Sequence, residues 1–140
     1  MNIDNKKCVM VIDENLPMGL IANTAAIMGM TFGKQVPKII GQDILDMDNC
    51  VHLGIIEFPV PILKGNQRLI KEIYDQMNES KAEDVLIIDF STLAQGCKTY
   101  DEYIEKMHKT NQDDLKYIGI TLYGNKKKIN RLTGSLPLLR

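Results

Sequence analysis

Three short runs of almost purely apolar residues constrain this chain more than any other feature. Cys8-Val9-Met10-Val11-Ile12 ends at Asp13, Val85-Leu86-Ile87-Ile88 ends at Asp89, and Tyr117 to Tyr123 ends at Gly124. A strand with one face in water alternates polar and apolar residues. These runs do not, which predicts strands covered by helices on both faces. The helical periods that could supply the cover lie between them. Gly19 to Phe32 is apolar nearly all round and rich in Ala and Met, which predicts a central helix stopping at Gly33. Asn66 to Asn78 places Leu69, Ile70, Ile73, Tyr74 and Met77 on one stripe, with Asn66 as its cap. Thr99 to Lys109 spaces Tyr100, Tyr103, Ile104 and Met107 helically, and Thr99 with Glu102 forms a capping-box signature. A last helix over Asn125 to Leu132 is expected to stop at Gly134 through a positive φ.

The middle of the chain reads differently. Ile44-Leu45 and Val51-His52-Leu53 flank Asp48-Asn49, the pattern of a β-hairpin or edge pair. Pro59 and Pro61 lead into another extended piece. The order β-α-β-β-(β)-α-β-α-β-α predicts an α/β fold. Specifically, it predicts a three-layer α/β/α sandwich around a small parallel or mixed sheet, one domain over residues 1–140.

Composition narrows the function classes. The 17 Lys and Arg against 18 Asp and Glu give a net charge of −1, without the concentrated basic face of a DNA-binding domain. DNA is therefore not an expected partner, and any RNA contact would be small and local. Cys8, Cys50 and Cys97 are odd in number and widely spaced, and neither histidine sits in a zinc pattern with them. That predicts reduced thiols in a cytoplasmic setting, and neither metal nor cofactor. The longest apolar stretch, Leu16 to Phe32, contains Pro17, Gly19, Asn23 and Thr24 and falls short of the roughly 20 residues of a membrane span. Val9 to Ile12 is too short for a secretory segment.

Four separated segments carry a resemblance. They are Asp13-Glu14-Asn15-Leu16-Pro17-Met18-Gly19-Leu20-Ile21-Ala22-Asn23, Asp89-Phe90-Ser91-Thr92-Leu93-Ala94-Gln95, Ile118-Gly119-Ile120-Thr121-Leu122-Tyr123-Gly124, and Arg131 to Leu139. In this order they resemble, over nearly the whole chain, an uncharacterised family known only as a domain of unknown function, number two thousand. A more distant similarity is to type II peptidyl-tRNA hydrolase. Met18-Gly19 and Ile21-Ala22 match that family's turn into an Ala-rich helix, and Thr133-Gly134-Ser135-Leu136-Pro137-Leu138-Leu139 matches its tail. The similarity implies a small mixed sheet sandwiched by helices. It also implies a catalytic site at Asp89, with Thr92 near the position of the family's threonine. The lysine that follows the Met-Gly turn in the hydrolases has no counterpart, because Gly19 runs directly into Leu20.

Each candidate site has a plain structural alternative. In open α/β sheets ligands gather beyond the C-terminal strand ends, and a helix start attracts anions. This favours Asp13, Met18, Gly19 and Asn23 as ligand-binding residues, although Asp13 or Asn15 could simply cap the helix. Asp89, Ser91, Thr92 and Gln95 offer a carboxylate with nearby hydroxyl and amide groups; a polar turn is the alternative. Thr133 could face the same hollow or serve only as a cap. Lys126-Lys127-Lys128 could attract a phosphate but reads better as a solvated face, with Arg131 reaching toward a cleft. His52 and His108 lack partners for catalysis, and the eight methionines read as core filler. The expectation is a domain that binds a small-molecule or nucleotide-type ligand, phosphate-bearing ones included, on a hydrolase-like scaffold. The competing expectation is a divergent hydrolase of an ester or amide bond such as peptidyl-tRNA. A homodimer is the expected assembly.

Overall fold

The apolar runs become the strands of one sheet. In the computed structural model, which describes residues 5–80 and 83–140, the elements follow in chain order. They are β1 (Lys6–Asp13), α1 (Met18–Gln35), β2 (Ile44–Leu45), β3 (Val51–His52), β4 (Ile62–Gly65), α2 (Gln67–Glu79), β5 (Val85–Ser91), α3 (Thr92–Gly96), α4 (Tyr100–His108), β6 (Tyr117–Asn125) and α5 (Lys126–Thr133). The sheet order is β4-β1-β6-β5. β1 and β4 are parallel, whereas β6 runs antiparallel to both β1 and β5, so the sheet is mixed.

The pleat divides the core in two. Val9 and Val11 of β1 pack with Ile70, Ile73 and Met77 of α2 and Ile129 of α5. Cys8, Met10 and Ile12 point the other way, onto Met28 and Phe32 of α1. Both faces are therefore covered, as three-layer packing requires. Burial raises the Cys8 thiol to about 12, which keeps it an inert core group.

Strand β6 changes face in mid-course. The register shifts beside Phe90 and Ser91, where Phe90 opposes Gly119 and Ser91 opposes Tyr117. Ile118 is left as the extra residue of a bulge. Tyr117 consequently belongs to the α2 side, Ile118 to the α1 side, and Ile120 and Leu122 to the α2 side again. Gly119 lies beneath α1: a Cβ there would stand 2.5 Å from Thr24 Cγ2 and 2.9 Å from Met28 Cε. The helix thus rests on bare backbone at this point. Thr24, fully buried, satisfies its hydroxyl by donating to the Leu20 carbonyl at 2.7 Å.

Several expectations change in detail. α1 passes through Gly33 to Gln35 and buries only Thr24, Met28 and Phe32, while Met18 and Met30 are 85% and 75% exposed. Its all-round apolar pattern predicted a central helix, but α1 lies on the outside of the sheet with one face inward. Gly134 takes φ −63°, an ordinary right-handed value. It is needed for closeness instead, since a Cβ would meet the Asn130 carbonyl oxygen at 2.6 Å. The caps fall where the sequence put them: Asn66 Oδ1 accepts from Leu69 N–H at 2.8 Å, and Thr99 Oγ1 from Glu102 N–H at 3.1 Å.

β2 and β3 pair as the expected hairpin, turning through Asn49 in the left-handed region at φ 63°. Asp46 anchors it. Its Oδ1 accepts from Cys50 N–H, and its Oδ2 lies 2.7 Å from His52 Nε2, which with the backbone bonds holds the carboxyl below its ordinary range.

The two sheet edges are finished differently. The C-terminal tail lies against β4: Lys64 N–H donates to the Pro137 carbonyl at 2.8 Å and Leu139 N–H to the Ile62 carbonyl at 2.9 Å. Along β5 no such cover exists among the described residues. Asn125 N–H donates to the Asp84 carbonyl, in the same register that pairs Val85 with Gly124. Bonded and non-bonded pairs alternate in an antiparallel ladder. Leu86, Ile88 and Phe90 therefore bond to β6, and the backbone groups of Val85, Ile87 and Asp89 face outward.

Gly119→Ala should destabilise the fold by about 1–3 kcal/mol, because the added methyl forces α1 off the sheet. Urea unfolding should show a lower midpoint with an unchanged slope.

Candidate functional site

The residues singled out from sequence do not share one hollow. Asp13 closes β1 and is buried, and its Oδ1 accepts from Asn15 N–H at 3.0 Å, a local turn that leads the chain into α1. Met18 and Gly19 form the exposed first turn of that helix, which has no side-chain cap. Asn23 Nδ2 donates to Gln95 Oε1 at 2.9 Å, tying α1 to α3 across 72 positions of sequence. Ser91 Oγ accepts from Ala94 N–H at 3.2 Å and caps α3, a short helix where the sequence suggested a turn. Thr92 is exposed at the first position of α3. Thr133 is buried on α5, where its Oγ1 donates to the Ile129 carbonyl at 2.7 Å. It belongs to the α2–α5 side of the sheet, opposite the α1 side.

The lysine run at the start of α5 is already engaged. Asn125 Oδ1 accepts from Lys128 N–H at 3.1 Å and caps the helix, while Lys128 Nζ lies 2.7 Å from Asp84 Oδ1. Lys128 and Arg131 border a hollow of about 440 Å³ between α2 and α5.

The larger hollow, about 680 Å³, runs along the free edge of β5. Its floor is Leu86 to Phe90. One wall is Ile27, Thr31 and Gln35 of α1, and the other is formed by Cys97, Lys98 and Thr99 with Tyr100 and Tyr103 of α4. Of the catalytic and ligand-binding residues named from sequence, Asp89 alone lines it. Asn23 sits one turn before Ile27, and Gln95 follows Ala94, another lining residue. Their hydrogen bond therefore joins the two sides at one end of the groove.

Asp89 is the chemically distinctive member. It lies two residues inside β5 rather than at its end. Burial pushes its carboxyl above the usual range, opposed only by a hydrogen bond from its own backbone N–H. Among the described residues it takes part in no ion pair. Tyr103 is raised by burial and then by the Asp89 charge. Tyr100 and Tyr103 meet edge to face with ring centres 5.6 Å apart. The sequence carried one signal of this site: a carboxylate inside an apolar strand, followed by two tyrosines at helical spacing. Among the described residues no group of three or more His, Cys, Asp or Glu side chains is placed to hold a metal ion.

Fold and groove together define an α/β domain with a mixed four-stranded sheet, one edge of which is sealed by its own tail and the other open. The chain belongs to the family described as "Protein of unknown function (DUF2000)", which matches residues 6–140. A solved structure of a protein of unknown function from Agrobacterium tumefaciens superposes with a TM-score of 0.85 at 16% identity, covering 96% of this chain and 97% of that one. At that identity the likeness shows the fold alone. No curated protein matches the chain.

Because the folded Asp89 carboxyl titrates above its unfolded value, the native state holds this proton more tightly than the unfolded chain does. Stability is therefore lost as pH rises from the unfolded value through the folded one. Asp89→Asn should flatten this part of the profile and be at least as stable as the wild type at neutral pH. Urea midpoints measured between about pH 3 and 7 would show it.

Proposed function

We propose that this chain is a ligand-binding domain whose ligand lies in the β5 groove with a cationic group at Asp89. The supporting observation is a half-buried carboxylate that lines an open groove and makes no ion pair among the described residues. Such a group gains more from a cation than an exposed one, because it has already lost part of its hydration. Tyr100 and Tyr103 add aromatic faces and edges suited to an ammonium or guanidinium. Lys98, on the same wall, supports a ligand that also carries an anionic group, phosphate among them. Asn23 and Gln95 hold the walls together, and Asp13 with Met18 and Gly19 sets the start of α1. Thr133 stays with the α5 cap in this reading.

A second reading, a divergent hydrolase, draws on the raised pKa of Asp89, which suits a general base. It also draws on the motifs similar to type II peptidyl-tRNA hydrolase. With Thr92 outside the groove, water activated by Asp89 would be its nucleophile. Three free thiols fit a reducing compartment such as the cytoplasm.

A thermal-shift screen of millimolar amines, amino acids and nucleotides should yield stabilisers that carry an ammonium or guanidinium. The same compounds should fail on Asp89→Asn. A ligand present at 100 times its dissociation constant adds about 2.7 kcal/mol to stability. A panel in which only anions stabilise, or in which none does, would reject the binding reading. Peptidyl-tRNA cleavage lost in Asp89→Asn and kept in Lys126→Ala would favour the hydrolase.

The proposed assembly is a homodimer formed through the β2–β3 arm. Ile44, Leu45, Met47, Val51, Leu53 and Ile55 are each more than half exposed there, with Met47 98% exposed. So many large apolar side chains exposed on one arm favour an association face. Sedimentation should give twice the monomer mass, and Leu53→Lys with Ile55→Lys should return the monomer without changing the fold.

A further inference from the structure

We infer that the natural ligand of the groove is an extended peptide segment bearing a Lys or Arg, which adds to the sheet as a fifth strand alongside β5. This rests on the groove reading and names the ligand class. The outward N–H and C=O groups of Ile87, with those of Val85 and Asp89, form a ladder with no backbone partner among the described residues; the Asp89 N–H reaches only its own carboxylate. Proteins usually protect such an edge with Pro, Lys, a bulge or a covering segment. The β4 edge has a covering segment in the tail at Pro137–Leu139. From Val85 to Phe90 the β5 edge has none of these, and its sole charge is Asp89.

Two independent features then specify the occupant. The open ladder asks for a backbone in extended form, since only alternating donors and acceptors satisfy it. The carboxylate asks for a cation directly across the strand pair, where opposite charges stabilise and like charges repel. A second copy of this chain meets the first demand and fails the second. β5 contains no Lys or Arg, so pairing β5 with β5 sets Asp89 against apolar residues or another Asp89. A foreign segment with a basic residue among β-formers meets both. The walls of α1 and α4 would flank it, and Tyr103 would lie near the basic side chain.

The test uses acetylated, amidated hexapeptides of Val and Thr with one central Lys, the same peptides with Glu in place of Lys, and butylamine as a free cation. Two N-methylated versions of the Lys peptide block alternate sets of amides. Binding is measured by calorimetry and by amide hydrogen exchange of the whole protein. In the free protein the Ile87 and Asp89 amides should exchange fast and those of Leu86, Ile88 and Phe90 slowly. The Lys peptide should slow Ile87 and Asp89, and the Glu peptide should bind at least about tenfold more weakly. One N-methyl pattern should abolish binding while the other is tolerated. Asp89→Asn should weaken the Lys peptide by about tenfold or more. Butylamine binding as tightly as the peptide, or tolerance of both N-methyl patterns, would overturn strand addition and leave the groove reading intact. Failure of both amine and peptides would remove both. Self-association of Asp89→Asn with newly protected Ile87 and Asp89 amides, and no peptide binding to the wild type, would assign Asp89 to guarding the edge and overturn the inference.

Discussion

The placement of β6 between β1 and β5, antiparallel to both, is the constraint on which the rest of this structure depends. It buries eight consecutive residues, Tyr117 to Gly124, between two helical layers. It also aligns the C-terminal ends of β1, β4 and β5 at one end of the sheet, because β1 and β5 both run antiparallel to β6 and β4 runs parallel to β1. It makes β5 an edge although β5 is as apolar as a central strand. The groove exists because of that last consequence: α1 and α4 stand on either side of an edge that no strand of the described residues occupies.

The bulge in β6 is how the sheet meets α1. Two successive residues, Ile118 and Gly119, face the same helix, and Gly119 supplies no side chain. Any larger residue would lift α1 and with it Ile27 and Thr31, which form one wall of the groove. The Asn23–Gln95 hydrogen bond lies at the end of that wall and fixes α1 against α3. Both contacts bear on the shape of the space in front of Asp89.

The sequence disclosed much of this and missed the rest for definable reasons. The three buried strands, the hairpin at Asp48-Asn49 and the caps at Asn66 and Thr99 are local patterns, and they appear where local chemistry put them. Strand order is not local. A run such as Val85-Leu86-Ile87-Ile88 is equally apolar at an edge and at a centre when helices flank the sheet, so nothing in it announced a free ladder. The same limit applies to α1, whose apolar outer face reads as buried until the number of layers above it is known. Asp13, Asn23 and Thr133 were grouped by the rule that ligands collect at strand ends. Their hydrogen bonds separate them instead: Asp13 closes a turn, Thr133 bonds within its own helix, and Asn23 pairs with Gln95 on α3. Asp89 was recognised for its carboxylate, but its position at the strand end was misplaced by two residues, because Phe90 and Ser91 continue the strand.

Asp89 resolves a conflict inherent in an open edge. A ladder left free for a ligand is equally free for another β5, and an apolar edge of this length would pair with its copies. A carboxylate in the middle of the strand makes that self-pairing unfavourable, since two desolvated anions would meet or one would be buried against apolar neighbours. In the proposed complex, the same charge favours a basic strand, which neutralises it. Selectivity here needs no further machinery: rejecting the like strand and accepting the unlike one are opposite signs of a single electrostatic term, acting on a backbone that would bond equally well to either.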